Sequence, residues 1–239
     1  MDKSPGQGTA PDGTEQVVQI AGLAGEHRVE LEGNLSIPAG AGGIVLFAHG
    51  SGSSRHSPRN RYVAEVLQQA GLATLLMDLL TPDEEQVDMR TAHLRFDIGL
   101  LASRLVTATE WLHERADTRQ LKIGYFGAST GGGAALMAAA QLPAGLPAVS
   151  AVVSRGGRPD LAGAALRAVT TPTLLIVGGQ DFEVIRLNEQ ALAQMSGAST
   201  KELAIVPGAT HLFEERGTLE QVAELARDWF LLYLDRPTT

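Results

Sequence analysis

The chain contains no cysteine. Disulfides, thiolate metal sites and a cysteine nucleophile are therefore excluded. Positive charge is also in deficit: 19 Lys and Arg stand against 27 Asp and Glu, for a formal net charge of −8. No basic stretch is long enough to follow a polyanion, so nucleic acid is not expected as a partner. Long apolar runs are missing too. Nothing approaches the roughly 20 apolar residues that a membrane-spanning helix needs. The polar start over 1–14 has no apolar core of signal-peptide length. These absences lead to the expectation of a cytoplasmic protein with no membrane partner. No His or Asp cluster has metal-ligand spacing, and neither metal nor cofactor is expected. With no internal repeat and no long linker, one domain over 15–239 follows a loose tail over 1–14.

What is present is an alternation. Glu15–Ala21 and the stretch carrying Val29, Leu31, Leu35 and Ile37 predict two strands joined at Ala24-Gly25, an edge hairpin. Ile44–Ala48 is apolar throughout, as in a strand buried on both faces. Ser57 and Pro58 predict a helix start, and Gly71 its end. Leu72–Met77 is the next strand, and the acidic stretch Leu79–Asp88 reads as a solvated loop. Leu94, Ile98, Leu101, Leu105, Ala108 and Leu112 then make one helical stripe. Further strands are expected over Leu121–Phe126, Ala148–Val153, Pro172–Val177 and Glu202–Val206, with helices over Ala134–Ala140 and from about Val184 to Met195, and a loop holding at most one short helix over Ser154–Ala165. The last helix opens with Thr218-Leu219-Glu220-Gln221, which has the form of a capping box. Strands alternating with helices predict a mostly parallel eight-stranded sheet covered on both faces. Functional residues are then expected on the loops at the carboxyl ends of the strands.

Leu121–Ala140 carries the chemistry. Gly127-Ala128-Ser129-Thr130-Gly131 is G-x-S-x-G between a predicted strand and a predicted helix, the setting of a nucleophile elbow. The two glycines remove the bulk that would clash around a strained serine. A serine hydroxyl needs a base, and the base needs an acid to orient it. Of the six histidines only His211 follows Ser129. The acid must lie between them at a strand end, where Asp181 fits best, with Asp160 and Glu183 as competitors. An oxyanion hole needs two backbone N–H donors. Thr130 supplies one, and the loop His49–Ser53 the other, with Ser51 the first choice and Gly52 the second. His49 itself reads as a brace for its turn.

Arginines crowd the same loops. Arg55, Arg59 and Arg61 follow the third strand, and Arg155 and Arg158 follow the sixth. They either anchor a carboxylate or phosphate of the substrate, with Arg55 and Arg155 the candidates, or brace the loops through salt bridges to Asp78, Asp83 or Asp160. Gly52 is a further candidate contact for the substrate.

The segments His49–Arg55, Gly127–Gly131, Gly178-Gly179-Gln180-Asp181 and Thr210-His211 resemble the α/β-hydrolase fold and, within it, the dienelactone hydrolase-like group. The likeness runs from about Glu15 to Leu234. It is strongest to bacterial hydrolase domains that occur alone or fused to a phosphoribosyltransferase domain. The resemblance implies Ser129 as nucleophile, Asp181 as acid and His211 as base. Dienelactone hydrolases proper use a cysteine, so dienelactone does not carry over as substrate. Only Ser154–Thr171 is available for a cap after the sixth strand, too little for a large lid, which implies an open site for small esters. The expectation is thus a serine hydrolase of small carboxylic esters acting through an acyl-enzyme. Thioesters, amides, an anionic ester or lactone, and a non-catalytic binding module of the same fold are the alternatives. A homodimer is left open as the assembly.

Overall fold

The computed structural model describes residues 13–24, 27–198 and 200–234. The expected turn residue Gly25 and most of the expected N-terminal tail lie outside them. An eight-stranded sheet runs in the order β1-β2-β4-β3-β5-β6-β7-β8. The strands are β1 Gln16–Ala24, β2 His27–Ser36, β3 Gly43–Ala48, β4 Ala73–Met77, β5 Lys122–Ala128, β6 Val149–Arg155, β7 Thr173–Gly178 and β8 Lys201–Val206. β1 and β2 form an antiparallel hairpin at one edge, and β2 joins β4 antiparallel. All other pairings are parallel. The helices are α1 Pro58–Gln69, α2 Pro82–Thr91, α3 Ile98–Glu114, α4 Thr130–Ala140, α5 Phe182–Gln194 and α6 Thr218–Leu234.

The continuous apolar strands are explained by two cores, one on each face. In β3, Ile44, Leu46 and Ala48 pack with the buried stripe Leu101, Leu105, Ala108 and Leu112 of α3 and with α4. Val45 and Phe47 point the other way, to Val63 and Leu67 of α1 and to Val222, Ala226, Trp229 and Phe230 of α6. A strand whose alternate side chains both enter a core has no wet face, hence no alternating pattern in sequence. The small residues of α4 let it sit against the middle of the sheet. A Cβ on Gly132 would come within 2.4 Å of Ser154 Oγ, and one on Gly133 within 2.7 Å of the Arg158 carbonyl.

Three local expectations are corrected. Leu79–Asp88 is not a loop: α2 lies there, with Thr81 as N-cap, Pro82 in its first turn and a reciprocal capping box between Thr81 and Glu84. Its acidic run occupies the first turn, where the helix dipole favours negative charge. The α3 helix starts at Ile98 rather than Leu94, because the Asp97 carboxylate caps the Leu100 amide at 2.9 Å and Leu94–Phe96 forms a separate 3-10 turn. At α6 the expected capping box is absent. Thr218 is already helical, and its hydroxyl donates to the Glu215 carbonyl at 2.6 Å.

Between β6 and β7 the chain forms only a 3-10 segment over Pro159–Ala168, broken at Gly163 (φ 54°). No large cap stands there. Residues from after β4 wall the strand ends instead: Glu85, Asp88 and Met89 of α2 and Arg95 of the Leu94–Phe96 turn line a cavity with the His49–Ser54 loop.

His49 joins two of those strand ends. Its Nε2 accepts the Leu79 N–H at 3.0 Å, which leaves Nδ1 to donate to the Gly50 carbonyl at 3.0 Å. This tautomer is neutral. Desolvation pushes the imidazole pKa below its ordinary value, against the opposing pull of the Gly50 carbonyl and Asp78.

Two predictions follow from this packing. A Cβ on Gly131 would lie 2.2 Å from the Ala48 carbonyl oxygen, whereas one on Gly99 meets nothing closer than the Asp97 carboxylate at 3.5 Å. Gly131→Ala should lower stability by about 1–3 kcal/mol or more, and Gly99→Ala should stay within about 1 kcal/mol of the parent, by urea denaturation. His49→Leu should cost about 1–3 kcal/mol at pH 7.5, because the Leu79 amide loses its acceptor. A depressed imidazole pKa stabilises the fold above the unfolded value of about 6.5 and loses that stability as pH falls towards the folded value. The gap between parent and His49→Leu should therefore narrow below pH 6.5.

Candidate functional site

The elbow forms at the carboxyl end of β5. Ser129 has φ 51° and ψ −121°, a conformation that side-chain-bearing residues rarely adopt. Packing on every side holds it there. A Cβ on Gly127 would lie 2.4 Å from the Gly131 carbonyl oxygen, so both flanking glycines are obligatory. The Ser129 N–H donates to the Arg155 carbonyl at 3.2 Å, and the Ser129 carbonyl accepts from Arg158 N–H at 3.0 Å. The hydroxyl-bearing residue is thereby clamped between β5, α4 and the end of β6. It stays half-exposed, whereas Thr130 behind it is buried.

Asp181 sits at the N-cap of α5, just past β7, yet its side chain caps no helix amide. Its carboxylate instead bonds His211 Nδ1 at 2.6 Å. His211 lies beyond β8 on a loop held by Glu215, which accepts both the Thr210 N–H (3.1 Å) and the Thr210 hydroxyl (2.6 Å). An imidazole that gives its Nδ1 proton to a carboxylate keeps Nε2 as an acceptor, the form a general base needs. The competing acids are engaged elsewhere. Asp160 takes a bidentate bond from Arg158 at 2.7 and 2.8 Å, and Glu183 pairs with Arg186 at 2.7 Å.

The His49–Ser53 loop folds directly against the elbow. A Cβ on Gly50 would be 3.1 Å from Ser129 Cβ. Ser51 and Gly52 are the central residues of a tight turn closed by Ser53 N–H to the Gly50 carbonyl at 3.2 Å, with Gly52 at φ 68°. Thr130 opens α4, where the first amides have no acceptor within the helix.

Two cavities meet at this point. One, of about 310 Å³, is walled by the His49–Ser54 loop, Leu79, Leu80, Met89, Leu101 and Thr130, and its charged lining is Asp78, Glu85, Asp88 and Arg95. The other, of about 250 Å³, holds Ser129 and His211 together with Ser53, Ser57, Arg59, Asn60 and Arg155. Gly50, Ser51 and Ser53 belong to both walls.

The two candidate anchor arginines differ. Arg55 is a brace: its guanidinium pairs with Asp78 and with Glu32 (2.5 Å), and its Nε donates to Asn34 at 3.0 Å. All its nitrogens are engaged. Arg158 is likewise paired, to Asp160. Arg155 is the last residue of β6 rather than a loop residue, and it lines the cavity of Ser129. Its Nη2 donates to Asn60 at 3.1 Å and its guanidinium lies 5.8 Å from the Phe213 ring. Burial, and then the nearby Arg59 charge, push its pKa down to about 10. Asn60 was not expected at the site, because the residue lies on α1, far from the strand end in sequence. The α2 wall was missed as well, although Thr81-Pro82-Asp83-Glu84 has the form of a capping box.

The family comparisons agree with this architecture. A model of the "Dienelactone hydrolase family" matches residues 31–233. A Mycobacterium tuberculosis (strain H37Rv) protein named "Putative phosphoribosyl transferase" is 59% identical over 223 residues, 93% of this chain. The chain spans about half, 47%, of the length of that relative. The crystal structure of a dienelactone hydrolase from Anabaena variabilis has 66% identity and a TM-score of 0.86, over 93% of this chain and 99% of that one. An esterase from Pyrococcus furiosus, at 17% identity and a TM-score of 0.73 over 93% of this chain and 94% of that one, shares the fold. With the parallel sheet, the serine on its strained turn and the family match over most of its length, the chain belongs to the dienelactone hydrolase family, a family of α/β-hydrolases.

Proposed function

We propose that this family member is a serine hydrolase of small carboxylic esters. The carrying observation is the 2.6 Å bond between His211 Nδ1 and Asp181, with His211 sharing a cavity wall with Ser129. Ser129 Oγ attacks the ester carbonyl while His211 Nε2 takes its proton. The N–H groups of Thr130 and Ser51 face the developing oxyanion, each such donor being worth about 3 kcal/mol. Collapse of the tetrahedral intermediate breaks the bond to the alcohol, which receives the proton from His211. Water, deprotonated by His211, then attacks the acyl-enzyme, releases the carboxylic acid and restores Ser129. Asp181 holds the His211 tautomer and stabilises its cation.

The cavity volumes support small substrates. Leu79, Leu80, Met89 and Leu101 offer an apolar wall for a short acyl chain. The same machinery would act on thioesters, and kinetics with matched oxygen and sulfur esters would rank the two.

A fluorophosphonate should label the protein at Ser129, as read by peptide mass. Ser129→Ala should abolish labelling and reduce turnover of p-nitrophenyl butyrate by at least about 1,000-fold. Asp181→Asn should retain labelling at a slower rate and lose roughly 1,000- to 10,000-fold in kcat. Wild-type turnover by Ser129→Ala would refute the assignment, and a parent protein that neither takes the label nor turns over the ester would favour a non-catalytic module.

A further inference from the structure

Arg155 breaks a rule that the other arginines obey. Among the described residues, every other buried or half-buried arginine has a carboxylate within 4.0 Å: Arg55, Arg59, Arg61, Arg95, Arg104, Arg115, Arg158 and Arg227. Arg155 is 6% exposed, more shielded than most of them, and has none. The one hydrogen-bonding partner of its guanidinium is the neutral amide of Asn60, and its Nε is buried with no partner among the described residues. An isolated cation withdrawn from water is costly unless an anion joins it. Arg59 adds to the imbalance. It lines the same cavity, its Nε is also buried without a partner, and its acid, Glu214, is exposed and 3.4 Å away.

We propose that Arg155 and Arg59 form a subsite for a phosphate monoester carried on the alcohol part of the substrate. The assignment rests on the serine-esterase reading of the same site and names the class of ester that it takes. The phosphate is a handle, and the bond cleaved remains the carboxylic ester.

Three observations select this chemistry. The first is charge. Two guanidiniums face one cavity of about 250 Å³, matching the charge of −1.5 to −2 on a phosphate monoester better than the single charge of a carboxylate. The second is the donor set. The guanidiniums of the two arginines and the hydroxyls of Ser53 and Ser57 line this one cavity, a set of donors suited to three terminal phosphate oxygens. Ser57 also caps α1, so the amide end of that helix points to the same side. The third is polarity across Ser129. The cavity on the Thr130 side is lined by three carboxylates, Asp78, Glu85 and Asp88, against one arginine, Arg95, which is paired with Asp88, so its charge balance disfavours an anion. The cationic cavity is the one that His211 lines. The alcohol must receive its proton from His211, so the alcohol lies in the cationic cavity and the acyl group in the apolar one.

Three butyrate esters with one acyl group and matched phenols test the proposal: 4-(butyryloxy)phenyl phosphate, 4-(butyryloxy)benzoate and the neutral 4-(butyryloxy)benzamide. Butyrate release gives kcat/KM. The phosphate ester should exceed the other two by at least about tenfold, and Arg155→Met should reduce that preference to near one. Arg155→Lys should keep part of it, since it retains charge without the planar fork. Should Arg155→Met fail to fold, as judged by its melting curve, Arg155→Lys and Arg59→Met carry the same comparison of ratios. Equal rates for the three esters, a preference for the benzoate, or a phosphate preference untouched by these substitutions would overturn the proposal.

A binding measurement separates this proposal from the esterase reading. Phenyl phosphate titrated calorimetrically into the Ser129→Ala protein should bind at least about tenfold more tightly than into Ser129→Ala/Arg155→Met. If all three esters are inert and no fluorophosphonate label forms, the esterase reading fails, while this titration still decides the subsite. Absence of Arg155-dependent binding overturns the subsite even where neutral esters are hydrolysed.

Discussion

Contact between backbones at the carboxyl end of β5 is the constraint on which the site depends. Gly131 lies so close to the Ala48 and His49 carbonyls that no side chain fits between them. Gly127 is pressed as closely against Gly131. This double contact joins β3, β5 and the start of α4, and it leaves Ser129 only a positive φ. The strain at one serine is held by packing over three elements, as expected where a side chain must project from a turn at a fixed angle. The same contact presses the Gly50–Ser53 turn against Ser129. Candidate nucleophile and candidate amide donors are thus positioned by one piece of steric packing.

Charge is arranged around that point with similar economy. Arg55, Arg158 and Arg95 are each matched to carboxylates that keep the loops at the strand ends in place. His49 does comparable work without charge, as a neutral imidazole between the Gly50 carbonyl and the Leu79 amide. Asp181 forgoes the helix cap that its position offers and bonds His211 instead. Against this background of matched groups, Arg155, buried in the cavity of Ser129 with no carboxylate within 4.0 Å among the described residues, stands out. The two cavities that meet there differ in charged lining: Arg59 and Arg155 in one, and Asp78, Glu85 and Asp88 with Arg95 in the other.

Much of this could be read from the sequence because the signals were local. The elbow pentapeptide, the buried strands Ile44–Ala48 and Leu72–Met77 and the cap at Ser57-Pro58 are each decided by residues within a few positions of one another. Local reading failed where two rules competed. Leu79–Asp88 looked like a solvated loop because it is acidic and lacks an apolar stripe, yet Thr81 and Glu84 cap each other and start α2. Thr218 had the form of a cap, but its hydroxyl found the Glu215 carbonyl first. The cover over the site was sought after β6 and lies after β4, a question of which connection leans over the strand ends.

By itself the sequence determined the chemical types and their order: no thiol, one serine between spaced glycines, one later histidine, and an acid at a strand end between them. Those follow from composition and short-range pattern, which folding does not alter. Only the tertiary structure decided which charges are satisfied. Arg55 meets Asp78 across 23 positions, whereas the Arg155 guanidinium hydrogen-bonds, among the described residues, to Asn60 alone, across 95. Such partners are chosen by how strands and helices stack, and burial then sets how much an unmatched charge matters. Two arginines that look alike in sequence become a paired brace and a buried cation without a carboxylate for that reason.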